Sequence, residues 1–537
     1  MTAIFRAIGA GLFALAIIAW PVGRGDAATP DDQIVVGLSM TNILALDPPF
    51  QTGRESLEVL ANVYDSLIDS DPRERGKLLP GLAESWTVSE DGQTITFKLR
   101  KGVRFHSGNP LTARDFVWSV TRALKTQSTQ GSNWKISGFT ADNVAETVTA
   151  PDDETVVIRI PQRTDPTLVL YTVAHNTAGM VLDSKLVMEH EKDGDLGQAW
   201  LATNDAGSGP YTLRNWQPNN IIMLERFDGY WREPAKMRRV IYRHMPEPQT
   251  QRLAIERGDI DIAMNLSVAD MEALKNNKDV VINSAPGGNM YYLAVNMKDE
   301  KFAKKNVRLA LRYLIDYDGI NKTIMPFYGF YHQRPIQIGL PGSLPDPGYK
   351  LDVDQAKKLL AEAGYPDGFS TTLRVLSDPP FIDAATSIQG TLAQAGIKAE
   401  IISGNGDAVY GAMRERKFDL LVGRGGGGTD PHPHSNLRNQ LYNPDNRDEA
   451  KLTSFQGWRT AFYDEKLNQL IDAALLEPDP DKQKKMYEEI QLYAEDVVPS
   501  IQPFSQALDS VVTRADVKGY VYHYAWTTRY REVTKAR

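Results

Sequence analysis

The chain contains no cysteine. That removes disulfides, thiolate metal sites and cysteine nucleophiles. It also removes the thiol through which a secreted protein could be lipid-anchored behind its leader. No run of lysines and arginines occurs, and acidic residues outnumber basic ones for a net charge of −8. Nucleic acid is therefore not an expected partner. Neither G-x-S-x-G nor H-E-x-x-H is present, and the Met188–Lys192 run, MEHEK, does not have metal-ligand spacing. Only the N-terminus offers a long apolar run, and Ile8 to Trp20 is shorter than the ~20 residues a membrane span needs.

What is present begins with that run. Arg6 precedes it, and Gly25-Asp26-Ala27 places small residues at both recognition positions of a cleavage site. Residues 1–27 are expected to be a secretory signal peptide cut after Ala27. A leader without a lipid-accepting cysteine implies a freely diffusing periplasmic protein of a Gram-negative cell.

Short β runs alternate with amphipathic helices, the pattern of an α/β fold. Strand candidates are Ile34–Met40, Thr94–Arg100, Thr155–Ile160, Ile221–Phe227, Val240–His244, Tyr291–Asn296, Leu373–Leu376, Glu400–Ser403 and Phe418–Val422. In Asn306–Asp316, Val307, Ala310, Leu311, Leu314 and Ile315 share one helical face. Asp352 reads as an N-cap with Gln355 at N3, and Gly364 as the C-terminal stop. Asp464 is placed to cap a helix, and a final helix is expected from about Asp481 to Val497. No internal repeat or low-complexity linker is visible.

The stretch from Leu79 to Leu124 carries the densest pattern. It contains Pro80-Gly81-Leu82-Ala83-Glu84-Ser85-Trp86, Asp91-Gly92 through Phe97-Lys98-Leu99-Arg100, Gly102-Val103-Arg104-Phe105-His106, and Leu111-Thr112-Ala113-Arg114-Asp115-Phe116. In order and spacing these segments resemble the peptide/nickel solute-binding receptors of bacterial ABC importers, the family 5 extracellular solute-binding proteins. The resemblance implies a two-lobed periplasmic-binding-protein fold (type II, cluster C-like) with an extra inserted domain near the N-terminus. It divides the chain into a discontinuous first lobe (28–70, 205–290 and 500–537), an insert (71–204) and a second lobe (291–499). Tyr291–Asn296 and Val498–Phe504 would be the strands crossing between lobes, with hinge closure around a solute.

In Phe418–Pro433, FDLLVGRGGGGTDPHP, a strand runs into four glycines. Gly423, Gly425 and Gly428 satisfy G-x-G-x-x-G, but a dinucleotide site needs a helix opening at the glycines. Pro431 and Pro433 argue against one, and no helix is expected there. Family members place a ligand-reading loop here, commonly G-W-x-(A/G)-D-x-x-D-P. Aligned on Asp430-Pro431, this chain has Arg424 at the Trp position and Gly427 at the Asp position that anchors a peptide amine. Leu376–Phe381 also lacks the Arg that dipeptide-binding members use for the peptide carboxylate. The resemblance implies a receptor for a peptide-sized solute, peptide or peptide-like, and these departures set an anionic or metal-chelate solute beside the plain peptide. Arg424 is the candidate anion contact. Its alternative role is a structural pair with a nearby Asp. Gly425, Gly426 and Gly427 would let backbone approach the ligand. Asp430-Pro431-His432 resembles the nickel-binding branch, so His432 is a candidate metal contact through a bound chelate, the one form in which a cofactor is expected. Asn42, Tyr291 and Arg334 complete the candidate cleft residues. Arg438 and Arg447 are read as solvated.

The resemblance further implies permease subunits and their ATPases as partners, a monomeric receptor, and no enzymatic activity. An opine or sugar receptor remains an alternative, as does a secreted hydrolase with a scattered triad.

Overall fold

The computed structural model describes residues 29–536 apart from 52, 127, 129, 176, 428 and 429. The leader assigned to residues 1–27 lies outside the described residues. Among the described residues no helix is long and apolar enough to cross a membrane.

The expected α/β architecture is found, and one mixed sheet of eleven strands runs through both lobes. On the first-lobe side Gln33–Leu38 pairs in parallel with Arg239–His244 and Ile262–Ala263. Ile221–Arg226 and Tyr211–Gln217 extend that edge antiparallel. On the second-lobe side Ser370–Leu376 lies parallel to both Lys398–Gly404 and Leu420–Gly425.

Two unusually long strands join the halves. Val280–Val295 and Ile501–Arg514 pair antiparallel from Val280↔Arg514 to Ala294↔Ile501. At about 3.3 Å per residue, sixteen residues span roughly 50 Å, enough to belong to two cores. The ladder breaks between Pro286 and Met290. The cause is in the sequence: Pro286 has no N–H to donate, and Gly287-Gly288 favours a bulge. Beyond the break, Met290–Val295 pairs with Leu420–Gly425. The break therefore falls where the strand passes from one lobe to the other.

The N-terminal insertion has its own four-stranded antiparallel sheet, in the order Ala83–Val88, Thr94–Leu99, Thr155–Arg159, Val148–Asp152. In Thr94–Leu99 the apolar residues Ile95, Phe97 and Leu99 alternate into a core with Phe116, Trp134 and Val156. Helix Ala113–Lys125 opens on a reciprocal cap between Thr112 and Asp115. The first lobe packs around Ile34, Val36, Tyr64 and Tyr242, and the second around Leu293, Leu311, Leu373 and Val422. Each of these parts thus has a core of its own, as separate domains do.

The caps expected at Asp352 and Asp464 form. Their carboxylates accept from the Gln355 and Leu467 amides. The last long helix is Pro480–Val497, starting one residue before the expected Asp481 and capped by Asp479. One expectation is corrected after the glycine run. A helix, Pro433–Gln440, does begin there, with His432 as cap and Pro433 at N1. Proline's fixed φ suits that first position, where its missing N–H would have had no partner. The glycines still do not open the helix, so no dinucleotide geometry arises.

Candidate functional site

Asp509 is the centre from which the site can be built. It is the single acid of the buried crossing strand Ile501–Arg514, pairs with Ala285 just before the bulge, and is 2% exposed. A carboxylate at that depth needs partners. Arg424 Nη2 donates to Oδ1 at 2.9 Å, and Trp526 Nε1 donates to Oδ2 at 2.9 Å. Arg54 approaches Oδ1 at 3.9 Å while donating to the Met264 carbonyl at 2.7 Å. The three partners come from the second lobe, the C-terminal segment and the first helix, Gly53–Val63.

Arg424 sits opposite Tyr291 in the sheet, and its guanidinium lies 5.5 Å from that ring. Tyr410 fixes the backbone by accepting from the Arg424 amide at 3.0 Å. Burial pulls the Arg424 pKa down, but the oxygens of Tyr291 and Asp509 outweigh it, and the net direction is upward. Its Nε is buried without a partner.

A third cation joins from the hairpin loop between Ile68–Ser70 and Leu78–Pro80. Arg75 Nη2 donates to Gln337 of the second lobe, and its guanidinium lies 5.3 Å from the Tyr524 ring. Its Nε and Nη1 are buried without partners. Burial lowers the Arg75 pKa to about 10, with Asp509 acting in the opposite direction, so the group stays charged at neutral pH. On helix Gly53–Val63, Glu58 is buried against Tyr530, and burial pushes its carboxyl up to about 7. Tyr522 and Tyr328 also face the Arg54–Asp509 pair. The result is an aromatic-walled site in which positive charge exceeds negative.

The candidate residues are distributed as follows. Tyr291 is 1% exposed, packed between Phe381 and Phe504, and it meets Arg424. Gly426 takes φ +83, and a Cβ on Gly427 would lie 1.3 Å from the Gly288 carbonyl oxygen. These glycines let the loop press against the bulge of the crossing strand, where Gln337 and Asn436 bond the two carbonyls. Gly425 pairs with Met290 at the strand end. Asn42 is exposed on the loop after the first strand. Arg334 is held inside the second lobe, with Nε on the Pro345 carbonyl at 2.6 Å and Nη2 on Glu495 at 3.1 Å.

His432 bridges the second lobe to the insert. Its Nε2 lies 3.2 Å from Asp165 Oδ2, and its Nδ1 accepts from the His434 amide at 3.1 Å. Burial would raise the Asp165 pKa, but His432 and Gln483 hold it well below the usual carboxylate range. Both ring nitrogens are engaged, which leaves no lone pair for a metal in this arrangement. Among the described residues no group of three His, Cys, Asp or Glu is placed to hold a metal ion.

Arg75, Asp509, Tyr522, Tyr524 and Trp526 were not among the candidates. Asp509 carried a signal as the single acid between Ile501 and Arg514, and so did the aromatic density of Tyr520–Trp526.

Two lobes threaded by a pair of long strands, with a cationic aromatic site where those strands break, define a solute-binding receptor. The chain belongs to the bacterial extracellular solute-binding proteins, family 5: the family description "Bacterial extracellular solute-binding proteins, family 5 Middle" matches residues 77–448. The dipeptide-binding protein of Escherichia coli strain K12 is 27% identical over 470 residues, covering 83% of this chain and 84% of the relative. The glutathione-binding protein GsiB of Shigella dysenteriae is 29% identical over 395 residues, covering 73% of each. Among solved structures, HbpA2 from Haemophilus parasuis superposes with a TM-score of 0.78 over 94% of this chain and all of its own, at 23% identity. At that identity the likeness is one of fold.

Proposed function

We propose that the protein is the periplasmic receptor of an ABC importer, capturing an anionic peptide-like solute at the Asp509 cluster and delivering it to membrane permease subunits and their ATPases. The observation that carries this reading is the surplus of guanidinium groups. Arg54, Arg75 and Arg424 face Asp509, with Glu55 3.5 Å from Arg54 as a second acid. Arg75 and Arg424 together keep three buried nitrogens without a partner. Such forks match carboxylate or phosphate oxygens, and the bonds strengthen once water is excluded. Glu58, pushed to about 7, offsets little of the surplus below neutral pH.

Tyr291, Tyr522, Tyr524 and Trp526 supply aromatic surface around those few polar anchors, the usual make-up of a small-molecule site. The relatives named for dipeptides and for glutathione cover most of the chain, and both ligands are peptide-sized carboxylates. Gly427 in place of an acid, and Asp509 already bonded to Arg424, weigh against a plain peptide amine at this point. The chemistry required is capture and release, with no covalent step. Secretion through the 1–27 leader, a monomeric state, and a metal present only inside a bound chelate complete the reading.

Native mass spectrometry of the mature protein, recovered from periplasm without denaturation, tests it. The expected result is a discrete small anionic adduct that is lost in Arg424→Ala. A ladder of peptide masses retained equally by both proteins would overturn the anionic reading.

A further inference from the structure

A cavity of 310 Å³ lies between the inserted domain and the second lobe. Gln130, Asn133 and Thr172 line it from the insert, and Asp430, His434 and Arg438 from the second lobe. It shares no lining residue with the Asp509 cluster.

Two of its lining side chains, Asp430 and His434, can accept hydrogen bonds. His434 is 3% exposed, and its Nδ1 has no partner. With Nδ1 unpaired, that nitrogen accepts a hydrogen bond in the tautomer that carries the proton on Nε2. Burial pushes the His434 pKa down to about 3, so the ring stays neutral. The Asp430 carboxylate accepts no hydrogen bond from any described residue, and burial lifts its pKa to about 6, opposed by His432 alone. His432 is already bonded to Asp165. Arg438 does not supply the missing counter-ion. Contrary to its reading as solvated, it is largely buried, lies 4.7 Å from the Phe455 ring and forms no ion pair with Asp430. A carboxylate and an unpaired imidazole nitrogen therefore line the same cavity.

We propose that this cavity binds a primary ammonium group, held by the Asp430 carboxylate and His434 Nδ1 between the inserted domain and the second lobe. An ammonium brings three donors, matching both acceptors and one amide oxygen of Gln130 or Asn133. The space is ample for an ammonium with several carbons. A bare metal ion is disfavoured, because no third charged or imidazole ligand is in reach among the described residues. The ammonium belongs either to the transported solute or to a separate small amine. The inference goes beyond the anionic reading of the Asp509 cluster and does not depend on it.

The test uses the full mature chain and methylammonium chloride, with potassium chloride and tetramethylammonium chloride at equal ionic strength as controls. Methylammonium is expected to raise Tm saturably above both controls, as a ligand specific to the folded state does. Tetramethylammonium has no N–H and gives no increment. Asp430→Asn keeps the volume, removes the charge and abolishes the increment, while Arg424→Ala retains it. Equal Tm in all three salts, or an increment that survives Asp430→Asn, overturns the proposal. Calorimetry with glycylglutamate and its N-acetyl form separates the sources. Acetylation that weakens binding about tenfold or more in the native chain but not in Asp430→Asn assigns the ammonium to the solute. Indifference to acetylation while methylammonium still binds assigns it to a separate amine.

Discussion

Two buried arginine–aspartate pairs in this molecule differ in how completely they are closed. Arg122 meets Asp47 as a bidentate fork at 2.8 and 2.6 Å, its Nε donates to the Leu196 carbonyl at 2.8 Å, and both side chains are 1% exposed. Arg424 gives Asp509 one bond at 2.9 Å, keeps a buried Nε without a partner and is 27% exposed. The first pair is finished by the protein and fastens the insert's helix Ala113–Lys125 to the first lobe. The second is unfinished, and so are two nitrogens of Arg75 nearby. Single unpaired Nε atoms also occur at Arg239 and Arg416, each in an ion pair elsewhere, so what sets the second pair apart is the gathering of three such nitrogens around one aromatic-walled acid.

The contrast predicts an ordered series of effects. Asp47→Ala leaves Arg122 charged and buried, and is expected to destabilise by about 3–5 kcal/mol. A urea midpoint shift checks this, and a loss below about 1 kcal/mol would erase the distinction between the pairs. Glu58 comes next. Its folded carboxyl is pushed from 4.5 up to about 7 by burial, against the pull of Tyr530 and Arg54. The folded state holds that proton more tightly than the unfolded state. The contribution is therefore fully present below about pH 4.5 and is lost as pH rises through 7, about 3 kcal/mol in all. Stability measured at pH 5 and pH 8 should show this fall, and Glu58→Gln should flatten it. Arg424→Ala follows. Trp526 and Arg54 still face Asp509, so the expected destabilisation is about 1–2 kcal/mol, well under that of Asp47→Ala. The solute adduct should nevertheless disappear. A stability loss as large as that of Asp47→Ala would reassign Arg424 to the structural class.

Much of the fold was legible because its signals are local. The alternation in Thr94–Leu99, the caps at Asp352 and Asp464, and the helical face of Val307, Ala310 and Leu311 each depend on a few neighbouring residues. The ordered motifs between Leu79 and Leu124 supplied the architecture, which periodicity alone does not specify. The site was legible only in part, because its members lie far apart in sequence. Arg424 and Tyr291 were visible, one beside the glycines and the other on a crossing strand. Asp509, Arg75 and Trp526 join them only through the closing of the eleven-stranded sheet and the packing of the C-terminal segment. The helix after His432 was missed because proline was read as a breaker, whereas at N1 it is favourable.

An exposed pair gives the smallest expected effect and tests what the series measures. Arg114 Nε lies 2.9 Å from Asp153 Oδ1, the same separation as Arg424 from Asp509, yet the side chains are 70% and 64% exposed. If distance set the energy, Arg114→Ala and Arg424→Ala would be equally destabilising. Desolvation is the variable that differs. In water the Arg114 pair gains little over its hydrated ions and gives up side-chain freedom, so its loss should change stability by less than about 0.5 kcal/mol. Even that small change should vanish in about 1 M salt, where the screening length falls to about 3 Å. The buried pairs should keep most of their effect under the same conditions. A salt-sensitive Asp47→Ala, or a large and salt-insensitive Arg114→Ala, would show that water reaches these pairs differently from their exposures. The argument that unfinished donors at Arg75 and Arg424 await a ligand would then lose its footing.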